Sequence, residues 1–120
     1  MNPIRGYHAH VYFDLHEQQL AADLREKVSR QLGLRVGTLY PTPIGPHPKG
    51  MFQVLVPVAR LGELIGFMLA HRRGLDVLVH AETGDDWIDH TTNTVWIGRS
   101  QPLNLDFLRP DVPTGTVAKA

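Results

Sequence analysis

Three histidines stand out by type and spacing. His8 and His10 lie two apart in Tyr7-His8-Ala9-His10-Val11-Tyr12-Phe13, and His80 closes Leu75-Asp76-Val77-Leu78-Val79-His80. On a strand, a spacing of two puts both imidazoles of the first segment on one face. A third imidazole delivered from a neighbouring strand makes a compact nitrogen-rich site. Neutral imidazole binds Zn, Fe, Cu or Ni at about 2.0–2.2 Å, so convergence within one pocket is what a metal centre requires. The same pattern also suits a dimer interface, or rings bonded to neighbouring backbone.

Other residues could join such a site. Glu82, two past His80, could add a carboxylate and give a two-histidine, one-carboxylate triad, or be a solvated loop acid. His47, in Gly45-Pro46-His47-Pro48-Lys49-Gly50, is held by prolines, which suits acid–base work or substrate anchoring; the prolines could equally only shape a loop. His90 has a carboxylate beside it in Asp89-His90-Thr91 and is expected on a mobile loop. Trp87 and Trp96 could wall an aromatic pocket, with core packing the simpler account of Trp96. Arg73 and Arg99 could anchor a substrate carboxylate or be ordinary surface charges, and His16 and His71 are expected on helices facing solvent.

The elements that must position these groups can be read from periodicity. Residues 7–13 alternate as a strand, and Asp14 with Glu17 offers a capping box. Leu20, Leu24, Val28 and Leu32 mark a helix over about residues 15–32, stopped by Gly33. Leu34 to Tyr40 is expected as a second strand, ended by Pro41 and Pro43. Residues 41–50, with four prolines and two glycines, read as a stiff loop rather than a domain boundary. Met51 to Val56 is a third strand. Pro57 opens a second helix with the stripe Leu61, Leu64, Ile65 and Met68, closed by Gly74, and Leu75 to His80 is a fourth strand. The order is βαββαβ, an α+β ferredoxin-like sandwich with an antiparallel sheet. Ala81 to Asn93 is polar, Thr94 to Gly98 an extra C-terminal strand, and Leu103 to Leu108 a short strand or turn. One domain is expected over residues 1–108, with 109–120 a loosely held tail.

In that topology the first strand is central and antiparallel to both the third and the fourth. Tyr7, Ala9, Val11 and Phe13 suit the face covered by helices, and His8, His10 and Tyr12 the open face, where the end of the fourth strand brings His80. The third strand begins near the far end of the first. His47 therefore reaches the same pocket only if its loop folds back or a second subunit supplies it. An open sheet face favours a homodimer.

Composition narrows the function further. Among 120 residues, 42% are apolar and 20% charged, which fits one domain with a modest core. Twelve basic and twelve acidic residues cancel, so neither nucleic acid nor an anionic membrane is favoured. The absence of cysteine excludes disulfides, thiolate ligands and a cysteine nucleophile. With no signal-like or membrane-length apolar run, a cytoplasmic location is expected. Seven histidines are the compositional oddity.

Taken together, the first strand, the Pro46-His47-Pro48 loop, and Leu78-Val79-His80 followed by Thr83-Gly84 and Asp89-His90 resemble the DOPA 4,5-dioxygenase family over about residues 5–108. The resemblance implies a non-haem Fe(II) extradiol dioxygenase that opens the ring of DOPA or a related catechol next to its diol, using dioxygen. Zinc or another divalent metal could occupy the same histidines. It further implies His8, His10 and His80 as metal ligands, and His47 and His90 as acid–base or substrate-binding groups. Tyr12, Trp87 and Arg99 are candidates to contact substrate.

The competing reading is a non-catalytic ferredoxin-like dimer whose histidines bind a metal or small molecule. An RNA-recognition domain shares the element order but is disfavoured, because Met51-Phe52-Gln53-Val54-Leu55-Val56 lacks the basic and aromatic signature.

Overall fold

A computed structural model describes residues 2–109. The expected tail lies, beyond Arg109, outside the described residues. Four strands, β1 (Gly6–Phe13), β2 (Gly50–Val56), β3 (Asp76–Glu82) and β4 (Thr94–Ile97), form one antiparallel sheet in the order β2-β1-β3-β4. Helices α1 (Gln18–Lys27) and α2 (Leu61–His71) cover one face, and a short helix α3 (Asp86–Thr91) follows β3. The architecture is the expected ferredoxin-like α+β sandwich with β4 added.

Alternation along β1 divides its side chains between two layers. Ala9, Val11 and Phe13 pack with Ala21, Leu24 and Val28 from the first helical segment and with Leu64 and Met68 of α2. Tyr12 packs on the other face with Met51 and Leu78, under Tyr40, Ile44, Trp96 and Leu103. That second face is therefore partly covered by the chain itself, which weakens the open-face argument for a dimer.

The capping box is present, with the Asp14 backbone N–H donating to Glu17 at 3.0 Å. The apolar stripe spaced strictly by four extends through a π-turn, Val28–Leu32, that follows α1. Gly33 ends it with φ of 66°, a left-handed conformation that an L side chain resists.

The expected strand Leu34–Tyr40 is corrected. The segment runs beside β2 but touches it through two isolated bridges, Val36 with Val54 and Tyr40 with Met51. Between them the register slips by one residue, so no continuous ladder forms. Gly37, which gives its backbone N–H to Gln53 at 2.7 Å, lies just before the slip and brings no side chain to hold a ladder. The polar segment after β3 is also corrected: it winds into α3, capped by the Asp85 carboxylate, which accepts from the Ile88 N–H at 3.1 Å. Leu105–Leu108 forms a 3-10 turn.

Gly50 begins β2 opposite Phe13. A Cβ there would stand 2.8 Å from the Pro41 carbonyl oxygen and 2.9 Å from the Phe13 ring, so only glycine lets the loop return this closely.

Candidate metal centre

The register of β1 with β3 sets His8 directly opposite His80, and His10 opposite Leu78. One potential ligand atom from each of His8, His10 and His80 lies within 4.8 Å of the others. His10 Nε2 is 2.9 Å from His80 Nε2. His10 and His80 are buried, whereas the His8 side chain keeps 23% of its exposure.

The second ring nitrogens of His8 and His80 orient their rings, whereas His10 Nδ1 is buried without a hydrogen-bond partner among the described residues. His80 Nδ1 donates to the Ala81 carbonyl at 2.9 Å, and His8 Nδ1 faces the Glu82 carboxylate at 3.1 Å. With those protons held on Nδ1, each ring is left with an Nε2 lone pair, the arrangement that metal-bound histidines adopt. Glu82 is therefore the last residue of a strand, half-buried and partnered, rather than a solvated loop acid.

The donor set fits a divalent metal. Two nitrogens about 2.1 Å from one ion stand about 3.0 Å apart at right angles and about 3.4 Å apart at the tetrahedral angle. The observed 2.9 Å between His10 and His80 suits two neighbouring ligands of one ion. Protons do not compete strongly for these sites. Burial, aided by neighbouring imidazoles, holds His10 well below the ordinary 6.5, His80 at about 2 and His8 at about 4. All three are neutral at pH 7, as ligation requires.

His47 folds back within the same chain. Its loop turns through the Ile44 bridge, with the His47 N–H donating to the Ile44 carbonyl at 3.0 Å. The Asn104 N–H donates to the Pro46 carbonyl at 2.8 Å and ties the loop down. The His47 ring stands 4.3 Å from that of His10, centre to centre. Its Nδ1 is 2.7 Å from the Tyr12 hydroxyl. Burial pushes the Tyr12 pKa well up, so the phenol keeps its proton and donates it to His47 Nδ1. Burial also holds His47 at about 3, hence neutral, and its remaining proton sits on Nε2. That Nε2 is buried without a hydrogen-bond partner among the described residues.

His90 is placed on α3, not on the expected mobile loop. Its ring lies 4.0 Å from that of His80. Its Nδ1 donates to the Asp86 carbonyl at 2.8 Å, which leaves a lone pair on Nε2. Burial lowers its pKa as well. The helix is anchored by Asp89, whose buried carboxylate accepts from the Thr83 N–H at 2.8 Å and the Thr83 hydroxyl at 2.7 Å. Sequence reading noted Asp89 only as a neighbour of His90 and gave it no anchoring role. A carboxylate and a threonine hydroxyl framing a short polar run were its signal.

The other candidates separate in space. Tyr12 lies in the site through His47, and Trp96 stacks on Tyr12 at 6.0 Å. Trp87, one turn before His90 on α3, is half-buried. Arg99 is exposed; its backbone N–H donates to Asp76 at 2.8 Å. Asp76 is four residues from His80, about 13 Å along the strand, so Arg99 stands away from the trio. Arg73 lies in the turn before β3, toward the same end. Gln53 was missed. It sits opposite His10 on the same face, buried, with Oε1 unpartnered among the described residues. A glutamine inside an apolar strand was the available signal.

Comparison with known proteins gives the family. The model of the Dopa 4,5-dioxygenase family matches residues 7–107. A DOPA 4,5-dioxygenase of Amanita muscaria is 35% identical over 111 residues, covering 85% of this chain and 49% of that protein. An uncharacterized 21.2 kDa protein of Botryotinia fuckeliana is 34% identical over 119 residues, covering 88% and 65%. The chain thus spans about half and about two thirds of these two relatives. A crystal structure from Nostoc punctiforme, provisionally described as a dioxygenase, superposes with a TM-score of 0.85 at 42% identity, covering 88% of this chain and 92% of that one. The matched span takes in both strands of the trio, the His47 loop and the helix bearing His90, and the chain belongs to the Dopa 4,5-dioxygenase family.

Proposed function

We propose that the chain is a metal-dependent dioxygenase that opens the ring of DOPA or a related catechol beside its two hydroxyls. His8, His10 and His80 would hold Fe(II). The observation that carries this reading is the 2.9 Å approach of two Nε2 atoms, with the His80 and His8 rings oriented from behind by Ala81 and Glu82. Bound Fe(II) supplies a redox centre at which a chelating catechol and dioxygen can meet.

The chain's own residues divide the proton handling. His90, neutral and with its Nε2 lone pair free of Asp86, suits the base that takes a catechol proton. His47, its Nδ1 occupied by Tyr12, suits the opposite role, with Nε2–H donating to an oxygen of substrate or dioxygen. His47 is buried beside His10 and His80, which strengthens a hydrogen bond made by its Nε2–H. Both atoms of dioxygen end in the ring-opened semialdehyde acid.

Anaerobic loading with Fe(II), metal analysis and oxygen uptake with DOPA and other catechols test the reading. Expected are near one iron per chain, stoichiometric uptake and a yellow product. Absence of both iron binding and turnover under reducing conditions would leave the non-catalytic alternative. A homodimer belongs to the same proposal and is checked by sedimentation. Among the described residues no helix is long and apolar enough to cross a membrane.

A further inference from the structure

A second feature adjoins the trio. A cleft of about 670 Å³ is lined by Arg5, Tyr7, His8, Arg35, Arg60 and Glu82, among others. The three arginines arrive from separate places: the lead into β1, the segment after Gly33, and the turn before α2. Arg60 is committed elsewhere, donating to Glu63 at 2.7 Å and to the Leu32 carbonyl at 2.9 Å. Arg5 and Arg35 form no ion pair among the described residues. The one carboxylate in the lining, Glu82, faces His8. Positive charge is therefore in excess, in guanidinium groups shaped for a carboxylate.

The cleft and the trio share a wall. His8 belongs to both, and the register sets Leu55 of the cleft opposite His8 and Glu82 opposite Gly6. By alternation, His8, Leu55 and Glu82 lie on the sheet face that carries the trio. Arg5 precedes His8 by three residues, about 10 Å along the chain. A catechol ring with a short acid side chain covers a comparable distance.

We propose that this cleft binds the carboxylate of a catechol carboxylic acid, with Arg5 and Arg35 as the specificity-determining residues. It rests on the dioxygenase reading for placing the ring at the trio. With Glu82 turned to His8, the lining carries more guanidinium than carboxylate charge, which favours an acid and repels an ammonium. The preferred ligands are therefore catechol acids without an amino group, ahead of the zwitterion DOPA and of the amine dopamine.

The test is anaerobic calorimetric titration of the Fe(II)-loaded full chain with 3-(3,4-dihydroxyphenyl)propanoate, its primary amide, DOPA and dopamine. The acid should bind about tenfold or more tighter than the amide, as charge-assisted pairing of a carboxylate predicts. Arg5→Gln with Arg35→Gln should bring that ratio close to one, whereas Arg30→Gln, on the exposed end of the first helical segment, should leave it intact. Equal binding of acid and amide, a ratio unmoved in the double variant, or no binding of either overturns the proposal. Oxygen uptake, measured separately, tells the two readings apart. Turnover without acid preference sinks the cleft alone; acid preference without turnover sinks the dioxygenase.

Discussion

His10 Nε2 and His80 Nε2 face each other at 2.9 Å across two antiparallel strands, in the interior of the chain. Two bare lone pairs at that distance repel, so a proton or a cation must lie between them. Because the His80 proton is drawn to the Ala81 carbonyl, His80 can only accept there. The pair is thus set to exchange one shared proton for a metal.

His80→Ala should abolish stoichiometric metal binding. In the native chain, a divalent metal at a hundred times its Kd should add about 2.7 kcal/mol of stability, seen as a rise in Tm. The variant should show no such rise. A metal-induced shift of unchanged size would place the site elsewhere.

Glu82→Gln keeps the shape of the His8 partner and removes its charge. Partners of this kind typically tune metal affinity by about 10–100-fold. Competition against a chelator should show a loss in that range, with the fold intact. No change would mean that Glu82 does not act through His8.

Tyr12→Phe removes the donor to His47 Nδ1 and leaves a buried acceptor unsatisfied, at a cost of about 1–3 kcal/mol. Metal content should be retained while kcat falls by about tenfold or more. Loss of metal together with activity would show instead that Tyr12 supports the trio.

Stability of the metal-free protein should depend on pH in a defined direction. His47 is held at about 3, His80 at about 2 and His10 well below 6.5. Below about pH 6.5 the unfolded chain therefore binds more protons than the folded one, and stability falls with pH by up to about 1.4 kcal/mol per histidine per unit. The loss continues toward the folded-state values, and above about pH 6.5 the contribution is complete. Urea unfolding at about pH 7.5 and about pH 5.5 checks the slope; equal midpoints would contradict it.

Asp89→Ala should loosen α3, because the Thr83 backbone N–H and hydroxyl lose their common acceptor. Expected are a loss of about 1–3 kcal/mol and reduced turnover with the metal retained. Faster hydrogen exchange confined to α3 would locate the effect.

Much of this architecture follows from local pattern. Alternation in residues 7–13 assigns His8 and His10 to one face because the helix-covered layer claims Ala9, Val11 and Phe13. The crossing of β1 with β3 then brings in His80. What escaped depended on tertiary closure. Leu34–Tyr40 has strand composition, but a slip in register, set by its partner strand, decides whether a ladder forms. His90 looked like a loop residue because α3 is too short to show a period and is held by Thr83 and Asp89 instead of an apolar stripe. His47 could not be assigned to this pocket, since nothing in Pro46-His47-Pro48 says that Asn104 will fasten the loop.

Gly50 gives this arrangement an unexpected point of control. The residue bears no chemistry, yet a single methyl group there would collide with Phe13 on one side and the Pro41 carbonyl on the other. Something must shift, and a shift of the Pro41 backbone would carry the loop that holds His47, which lies outside the strand register of the trio. On the proposed roles, binding of metal and delivery of a proton are thereby separable in inheritance: drift at this one position would displace the proton donor and leave the trio in place.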